Sequence, residues 1–320
     1  MNFILFDKVS LYDDEKNETI IYGQYKEKIQ KICIEGLEHE VIFCNCRPDF
    51  YIKILGKISY LENIFFYLDN EIKILKNVFL LFPFENCDIK LNKDTSAIIS
   101  TLCKNYSHRL DEWIQYNLHL GFSGIIIFNN DFNTSNNLNE SLENCIIYDS
   151  IETISKKYKG KVWIVDYPYS PLENEHWNTI QRITLHIGVN EFRKKCRNIA
   201  LIDADEFIYI HKNPLMKIET FLQEQISTIT MKSNILTNKK NDDILNNNIL
   251  NIAEYVGEDK FTKTILQTDN INYLEFIVTP HDHPTEQILN KNDIIHYHCW
   301  VNNRYHYNES MVKIDFLKPF

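Results

Sequence analysis

Asn198-Ile-Ala-Leu-Ile-Asp-Ala-Asp-Glu-Phe-Ile-Tyr-Ile210 opens on an apolar run, Ile199 to Ile202, and then turns abruptly acidic. An unbroken apolar run of that length reads as a strand buried on both faces of a parallel sheet. Asp203 and Asp205 lie two positions apart. While the chain stays extended, both carboxylates project to one side and Glu206 points elsewhere. Open α/β sheets bind ligands in the crevice beyond the carboxyl ends of their strands. Two convergent carboxylates there make an oxygen site suited to Mg²⁺ or Mn²⁺, with positions left for water and phosphate oxygens. The other reading is that the acids cap a following turn or helix.

Upstream of this stretch, strands and helices alternate. Residues 97–103 form an apolar strand, and residues 107–120 carry Leu110, Trp113, Ile114 and Leu118 at helical spacing, with Gly121 as the stop. Further strands are expected at 125–128 and 162–165, and a helix over 175–192 with Trp177, Ile180, Ile183, Thr184 and Ile187 turned inward. Downstream, Pro214 marks the start of a helix whose stripe is Leu215, Ile218, Phe221 and Leu222. Residues 238–248 read as a polar, mobile loop, and strand character returns at 264–267 and 274–278. The tail then concentrates histidine at His281, His283, His296, His298 and His306. Such alternation implies βαβ units and a mixed, mostly parallel sheet flanked by helices, the α/β class.

Residues 1–92 read differently, as short β runs at 3–6, 19–25, 40–44, 50–55, 64–68 and 78–82 without a helical period. They describe a small antiparallel β domain ahead of a larger domain over 93–320. Its aromatics, Phe50, Tyr51, Phe65, Phe66 and Tyr67, pack as core or line a carbohydrate-binding face.

A chain of 320 residues with 44% hydrophobic content can fill the cores of two such domains. The formal charge of -10 supplies no basic face for a phosphate backbone, which argues against a nucleic-acid partner. No apolar run approaches the ~18 residues of a membrane span, and the start lacks a basic n-region. A cytoplasmic protein without a transmembrane segment is therefore expected. Eight cysteines, none in a C-x-x-C pair, fit reduced thiols in such a compartment. Cys44 and Cys46 read as neighbours on a strand.

Four pieces in fixed order resemble the GT-A-fold glycosyltransferases, in particular family 92 and its family 2-like relatives. The first is Leu102-Cys-Lys-Asn105, then Leu110-Asp-Glu-Trp-Ile114, Leu120-Gly121 and Ile125-Ile-Ile-Phe-Asn-Asn130. Gln181 is the second, Leu201-Ile-Asp-Ala-Asp-Glu-Phe207 the third, and Ile295-His-Tyr297 the last. The match covers residues 96–313 and leaves the N-terminal β domain outside. Two positions depart from the family pattern: Tyr106 stands where an acid is expected, and Asn129 where the second strand should end in Asp.

The resemblance implies transfer of a sugar, as a hexosyltransferase, from a nucleotide sugar, expected to be a UDP-sugar, to a glycan or glycoprotein acceptor. It implies a GT-A-type Rossmann-like sheet and a Mn²⁺ or Mg²⁺ ion offsetting the charge of the departing diphosphate. By resemblance Asp205 binds the metal, Asp203 binds metal or ribose, and His296 completes the shell, with His283 and His298 as alternatives. Lys104, Arg109, Arg182, Arg304 and Lys313 are candidates for the phosphates, and Gln181 and Asn130 for the nucleotide or sugar. An inverting reaction needs a base for the acceptor hydroxyl; Asp282 is the first candidate, with Glu206 and Glu254 open. A catalytically silent glycan- or nucleotide-sugar-binding protein of the same fold is the alternative, motivated by Tyr106 and Asn129. A nucleotidyltransferase lacks the support of a glycine-rich phosphate loop.

Overall fold

The structure, a computed structural model, describes residues 3–26, 29–44, 48–68, 71–104, 107–130, 151–237, 255–277, 279–281, 286–289, 292–298 and 311–313. The chain divides into two compact units, Met1–Cys87 with Val165–Ile187, and Asp88–Ile164 with Gly188–Phe320. The first unit thus ends close to residue 92 but also takes in a later segment.

That first unit holds β1 (Phe3–Leu5), β2 (Leu11–Asp13), β3 (Glu18–Tyr25), β4 (Ile29–Ile34), β5 (Leu37–His39), β6 (Val41–Phe43), β7 (Asp49–Leu55), β8 (Tyr60–Leu68) and β9 (Ile72–Phe79). They form two antiparallel sheets, β1-β3-β7-β6 with β2 on β3, and β5-β4-β8-β9. Phe50 and Phe66 are wholly buried in the core of this unit and Tyr51 nearly so, which settles those three aromatics as packing residues.

Residues 165–187 contribute a buried polar centre to the same unit. Asp49, at the start of β7, is fully buried. It accepts hydrogen bonds from Gln24 Nε2 at 2.6 Å and Arg182 Nε at 3.0 Å, and His186 Nε2 lies 3.3 Å from its second oxygen. Buried charge is tolerated only when paired in this way. Burial by itself would raise the Asp49 carboxyl, but His186 and Arg182 outweigh it and hold it below its ordinary 3.8. Burial also dominates at His186 and holds its imidazole below the ordinary 6.5, against the pull of Asp49.

Both depressed values act in one direction. Below about pH 6.5 the unfolded chain takes up a proton at His186 that the folded chain refuses, so stability falls as the solution is acidified. The contribution of Asp49 is present above about pH 4 and is lost as pH falls through its lower folded value. Urea melts between pH 7 and pH 5 are expected to show a slope of up to about 1.4 kcal/mol per pH unit from His186, flattened in His186→Gln. An unchanged slope in that variant would mean that the folded ring is already charged.

The second unit contains β10 (Ala97–Cys103), α1 (Ser107–Leu120), β11 (Gly124–Asn129), α2 (Ile151–Lys157), β12 (Val162–Asp166), α3 (Asn178–Phe192), β13 (Asn198–Leu201), β14 (Glu206–Tyr209), α4 (Ile218–Gln223), β15 (Thr228–Thr237), β16 (Tyr255–Gln267), β17 (Glu286–Ile288), β18 (Ile295–His298) and β19 (Val312–Lys313), with β12 and α3 crossing the boundary between units. Its sheet runs β12-β11-β10-β13-β16-β15-β18-β14, with β17 on β15 and β19 on β16. The class is α/β and the sheet is mixed. Where mostly parallel strands were expected, β10–β11, β10–β13 and β15–β18 are parallel but β13–β16, β15–β16 and β14–β18 are antiparallel. The long strands β15 and β16 pair antiparallel next to β13, which no helix-linked crossover would produce.

Every residue of β10 and β13 is buried, as strands covered on both faces require. Ala97, Ile99, Ile125, Ile127 and Ala200 share one core with α1, α2 and α4. The other face receives α3 at Gly188, where an added Cβ would stand 2.3 Å from Ser100 Oγ, so any larger residue would force Ser100 to shift.

Three expected elements take other forms. Residues 213–216 do not begin α4: Asn213 accepts from the backbone N–H of Leu215 through its side chain and of Met216 through its carbonyl, a local turn that leaves Leu215 92% exposed. The helix over 175–192 starts at Asn178, after i→i+3 turns through Glu175, Thr179 and Ile180. No strand forms among the described residues of 274–278, because Leu274 sits at φ +55°, in the left-handed region. The loop at 238–248 lies outside the described residues.

Candidate functional site

β13 ends at Leu201, and the acids that follow do not remain extended. The Glu206 N–H donates to the Asp203 carbonyl at 3.1 Å, closing a tight turn that leads straight into β14. A turn, not strand alternation, therefore presents the carboxylates, and it brings Glu206 into the cluster that an extended chain would have kept it out of. Glu206 Oε2 accepts from the Asp203 N–H at 2.9 Å and lies 3.3 Å from Lys263 Nζ. Burial pushes its carboxyl up to about 7, with Lys263 opposing and Asp203 reinforcing the shift.

Helix α1 fixes this turn from one side. Trp113 Nε1 donates to the Glu206 carbonyl at 2.8 Å and Tyr116 OH to the Ile208 carbonyl at 2.6 Å. The Glu-Trp-Ile piece of the sequence is thus a brace for the acidic turn. Trp113→Phe is expected to cost about 1–3 kcal/mol by stranding a buried acceptor, read as a lowered urea midpoint; an unchanged midpoint would show that the bond contributes nothing.

Lys263, on β16, is the cation that sequence reasoning missed. Its side chain is 3% exposed, and the ammonium lies 2.5 Å from Asp203 Oδ2. Burial would lower its pKa, but Asp203 and Glu206 reverse that and hold it charged. Its signal in the sequence was weak, one lysine in a strand, because its partners lie 60 and 57 residues away (263 − 203; 263 − 206). Asp203 is correspondingly ionised: burial opposes its charge and Lys263 overcomes it.

The histidines are exchanged relative to expectation. His296, proposed as the third metal ligand, is fully buried opposite Ile208, and its Nδ1 lies 3.5 Å from Glu206 Oε1. Burial, then Lys263 and His298, hold its imidazole well below the ordinary range. His298, one alternation further along β18, is the ring beside Asp205, with Nε2 3.4 Å from Oδ2. The period of two along the strand separates them from Tyr297, and only the β14–β18 register decides which histidine reaches the turn. Burial works against charge on His298, but Asp205 and Asp259 outweigh it and push the ring up to about 11.

A divalent cation can be tested against this donor set. Two donors each about 2.1 Å from one ion stand at most about 4.2 Å apart, and the Asp205–His298 separation of 3.4 Å falls inside that limit. An imidazole nitrogen and a carboxylate oxygen suit Mn²⁺. The Oδ2 atom of Asp203 is taken by Lys263. Among the described residues no three His, Cys, Asp or Glu side chains gather as a metal cage. Two protein donors at this separation fit the group, which would take its remaining ligands from phosphate oxygens and water.

Lys104 follows β10 directly and Asn130 follows β11, so both lie at the carboxyl edge of the sheet that also carries the acidic turn. The Asn130 N–H donates to the Cys103 carbonyl at 2.8 Å, and its side chain is buried. Gln181 and Arg182 fall in the other compact unit. The Arg182 guanidinium is committed to buried Asp49, which removes it from the candidates for phosphate contact. Asp282, His283, Glu254 and Arg304, and the side chains of Arg109 and Lys313, lie outside the described residues. Cys33 and Cys196 are in no disulfide, and no described helix is long and apolar enough to cross a membrane. No protein-family model matches this sequence, and no curated protein matches it.

Proposed function

We propose that this protein is a GT-A-type glycosyltransferase that moves a sugar from a nucleotide diphosphate sugar, a UDP-sugar in the first instance, to a glycan or protein acceptor. The observation that carries the reading is the position of the acidic turn. Strands β12-β11-β10 run in one direction across the sheet, and β13 lies on the other side of β10. The order reverses between β10 and β13, and Asp203–Asp205 follow the carboxyl end of β13 at that reversal. Crevices of this kind are where open α/β sheets hold nucleotides. β10 continues along β11 as far as Cys103, while its pairing with β13 stops at Ile99 and Ala200, so the strands part toward the carboxyl edge. The resemblance to family 92 adds the sequence order of the same pieces.

In this reading Asp205 and His298 hold a divalent ion, Mn²⁺ or Mg²⁺, which when bound offsets the negative charge that grows on the departing diphosphate. The chain's own groups set the geometry. Glu206 and Lys263 clamp the turn, and Lys263 fixes the Asp203 carboxylate for the ribose. Lys104 and Asn130, at the same edge, serve phosphate and sugar. Glu206 is occupied within the clamp, and Asp282 remains the first candidate for the base, with inversion the expected outcome.

A thermal-shift screen of nucleotide sugars with and without Mn²⁺ tests the reading. A donor present at 100 times its Kd adds about 2.7 kcal/mol, so a rise in Tm that requires both donor and Mn²⁺ is expected. Indifference to every nucleotide sugar would end it. Asn129, in place of the family's Asp at the end of β11, favours a second reading, a silent binding protein of this fold. That version shows the same shift without release of nucleoside diphosphate.

A further inference from the structure

β15 and β16 pair in regular antiparallel register from Ile229↔Ile265 to Lys232↔Thr262, then resume at Asn234↔Glu258. Across that break one residue of β15, Ser233, stands against three of β16, Asp259, Lys260 and Phe261. An irregularity of this kind re-aims side chains that the pleat would otherwise send outward. Its effect here is specific. Lys260 and Phe261 are exposed, whereas the Asp259 side chain retains 4% of its surface. Ser233 Oγ donates to Asp259 Oδ2 at 2.9 Å, and the Phe261 N–H donates to Oδ1 at 3.3 Å.

The neighbour that this buried carboxylate faces is His298. Asp259 Oδ2 lies 3.9 Å from His298 Nδ1, while Nε2 of the same ring lies 3.4 Å from Asp205 Oδ2. One imidazole is thus addressed by a carboxylate on each side, one from the acidic turn and one from the bulge. A cation binding at Nε2 would displace the proton that the flanking carboxylates hold there; the inner carboxylate then keeps the remaining proton on Nδ1, setting the ring's tautomer and tilt and leaving the outer nitrogen to the ligand. The inner distance is longer than a formed hydrogen bond, as such contacts commonly are before a ligand draws the site together.

We propose that Asp259 is a positioning residue: the β15–β16 bulge exists to hold its carboxylate, with Ser233, against His298 Nδ1, so that Nε2 faces Asp205 and the two can share a divalent cation. The proposal rests on the metal reading given above. Ser233 and the Phe261 N–H fix the carboxylate, and His298 transmits the effect.

Mn²⁺ binding to the full chain, followed by electron paramagnetic resonance of the free ion without any nucleotide sugar, provides the test. Asp259→Asn, which keeps the shape and removes the charge, is expected to weaken Mn²⁺ binding about 10- to 100-fold with an unchanged far-ultraviolet circular dichroism spectrum. Asp259→Glu should recover part of the affinity. Ser233→Ala, which leaves Asp259 in place, should weaken binding in the same direction by less, and stands in should Asp259→Asn fail to fold. Parent-like Mn²⁺ affinity in folded Asp259→Asn, or in Ser233→Ala should it have to stand in, overturns the positioning role alone. Absence of Mn²⁺ binding in the parent overturns the metal reading and this proposal with it.

Discussion

Asp205→Asn, supplied with Mn²⁺ and a UDP-sugar, is expected to release nucleoside diphosphate about 100- to 1,000-fold more slowly than the parent. The residue sits in the turn beyond β13, its side chain 19% exposed and directed at His298. The amide replaces the carboxylate atom for atom, so the loss reports charge and ligation, not packing. His298→Asn should follow it, since the two atoms 3.4 Å apart act as a pair. His296→Gln should leave Mn²⁺ affinity unchanged, because that ring faces Glu206. Parent-like turnover in folded Asp205→Asn would take the acidic turn out of the chemistry altogether.

Asp49→Ala should unfold the first unit far more readily, by about 3–5 kcal/mol. The carboxylate is fully buried and is the shared partner of Gln24, Arg182 and His186. Its removal strands the Arg182 guanidinium, 11% exposed, without its counter-charge. The double variant Asp49→Ala/Arg182→Leu is expected to lose less than the sum of the single losses, because the stranded charge goes with its partner. Guanidinium chloride melts of the four proteins measure that difference. Strict additivity would show that the two side chains do not act on one another.

The elements that could be read from the chain were those whose burial pattern is local. β10, β11 and β13 are mostly apolar over their buried length, and α1 carries its stripe and its glycine stop, so their places in the sequence followed from periodicity. β15 and the long extension of β16 could not be read in that way. They owe their existence to pairing with each other, and their polar residues, Lys232 and Lys263 among them, mask the period. The helix expected at Pro214 gave way to Asn213, whose short side chain satisfies the backbone of a turn more cheaply than a helix start would.

The sequence by itself determined an acidic pair after a buried strand, a β-rich first region and an α/β second one, because each depends on neighbours close along the chain. Tertiary structure alone decided that Glu206 turns inward, that Lys263 answers Asp203, and that His298 and not His296 reaches Asp205. Those outcomes depend on strand register and on residues some 50 to 100 positions apart. A one-residue slip of β18 against β14 would exchange the faces of its side chains and take both histidines from their present partners, while the sequence stayed the same.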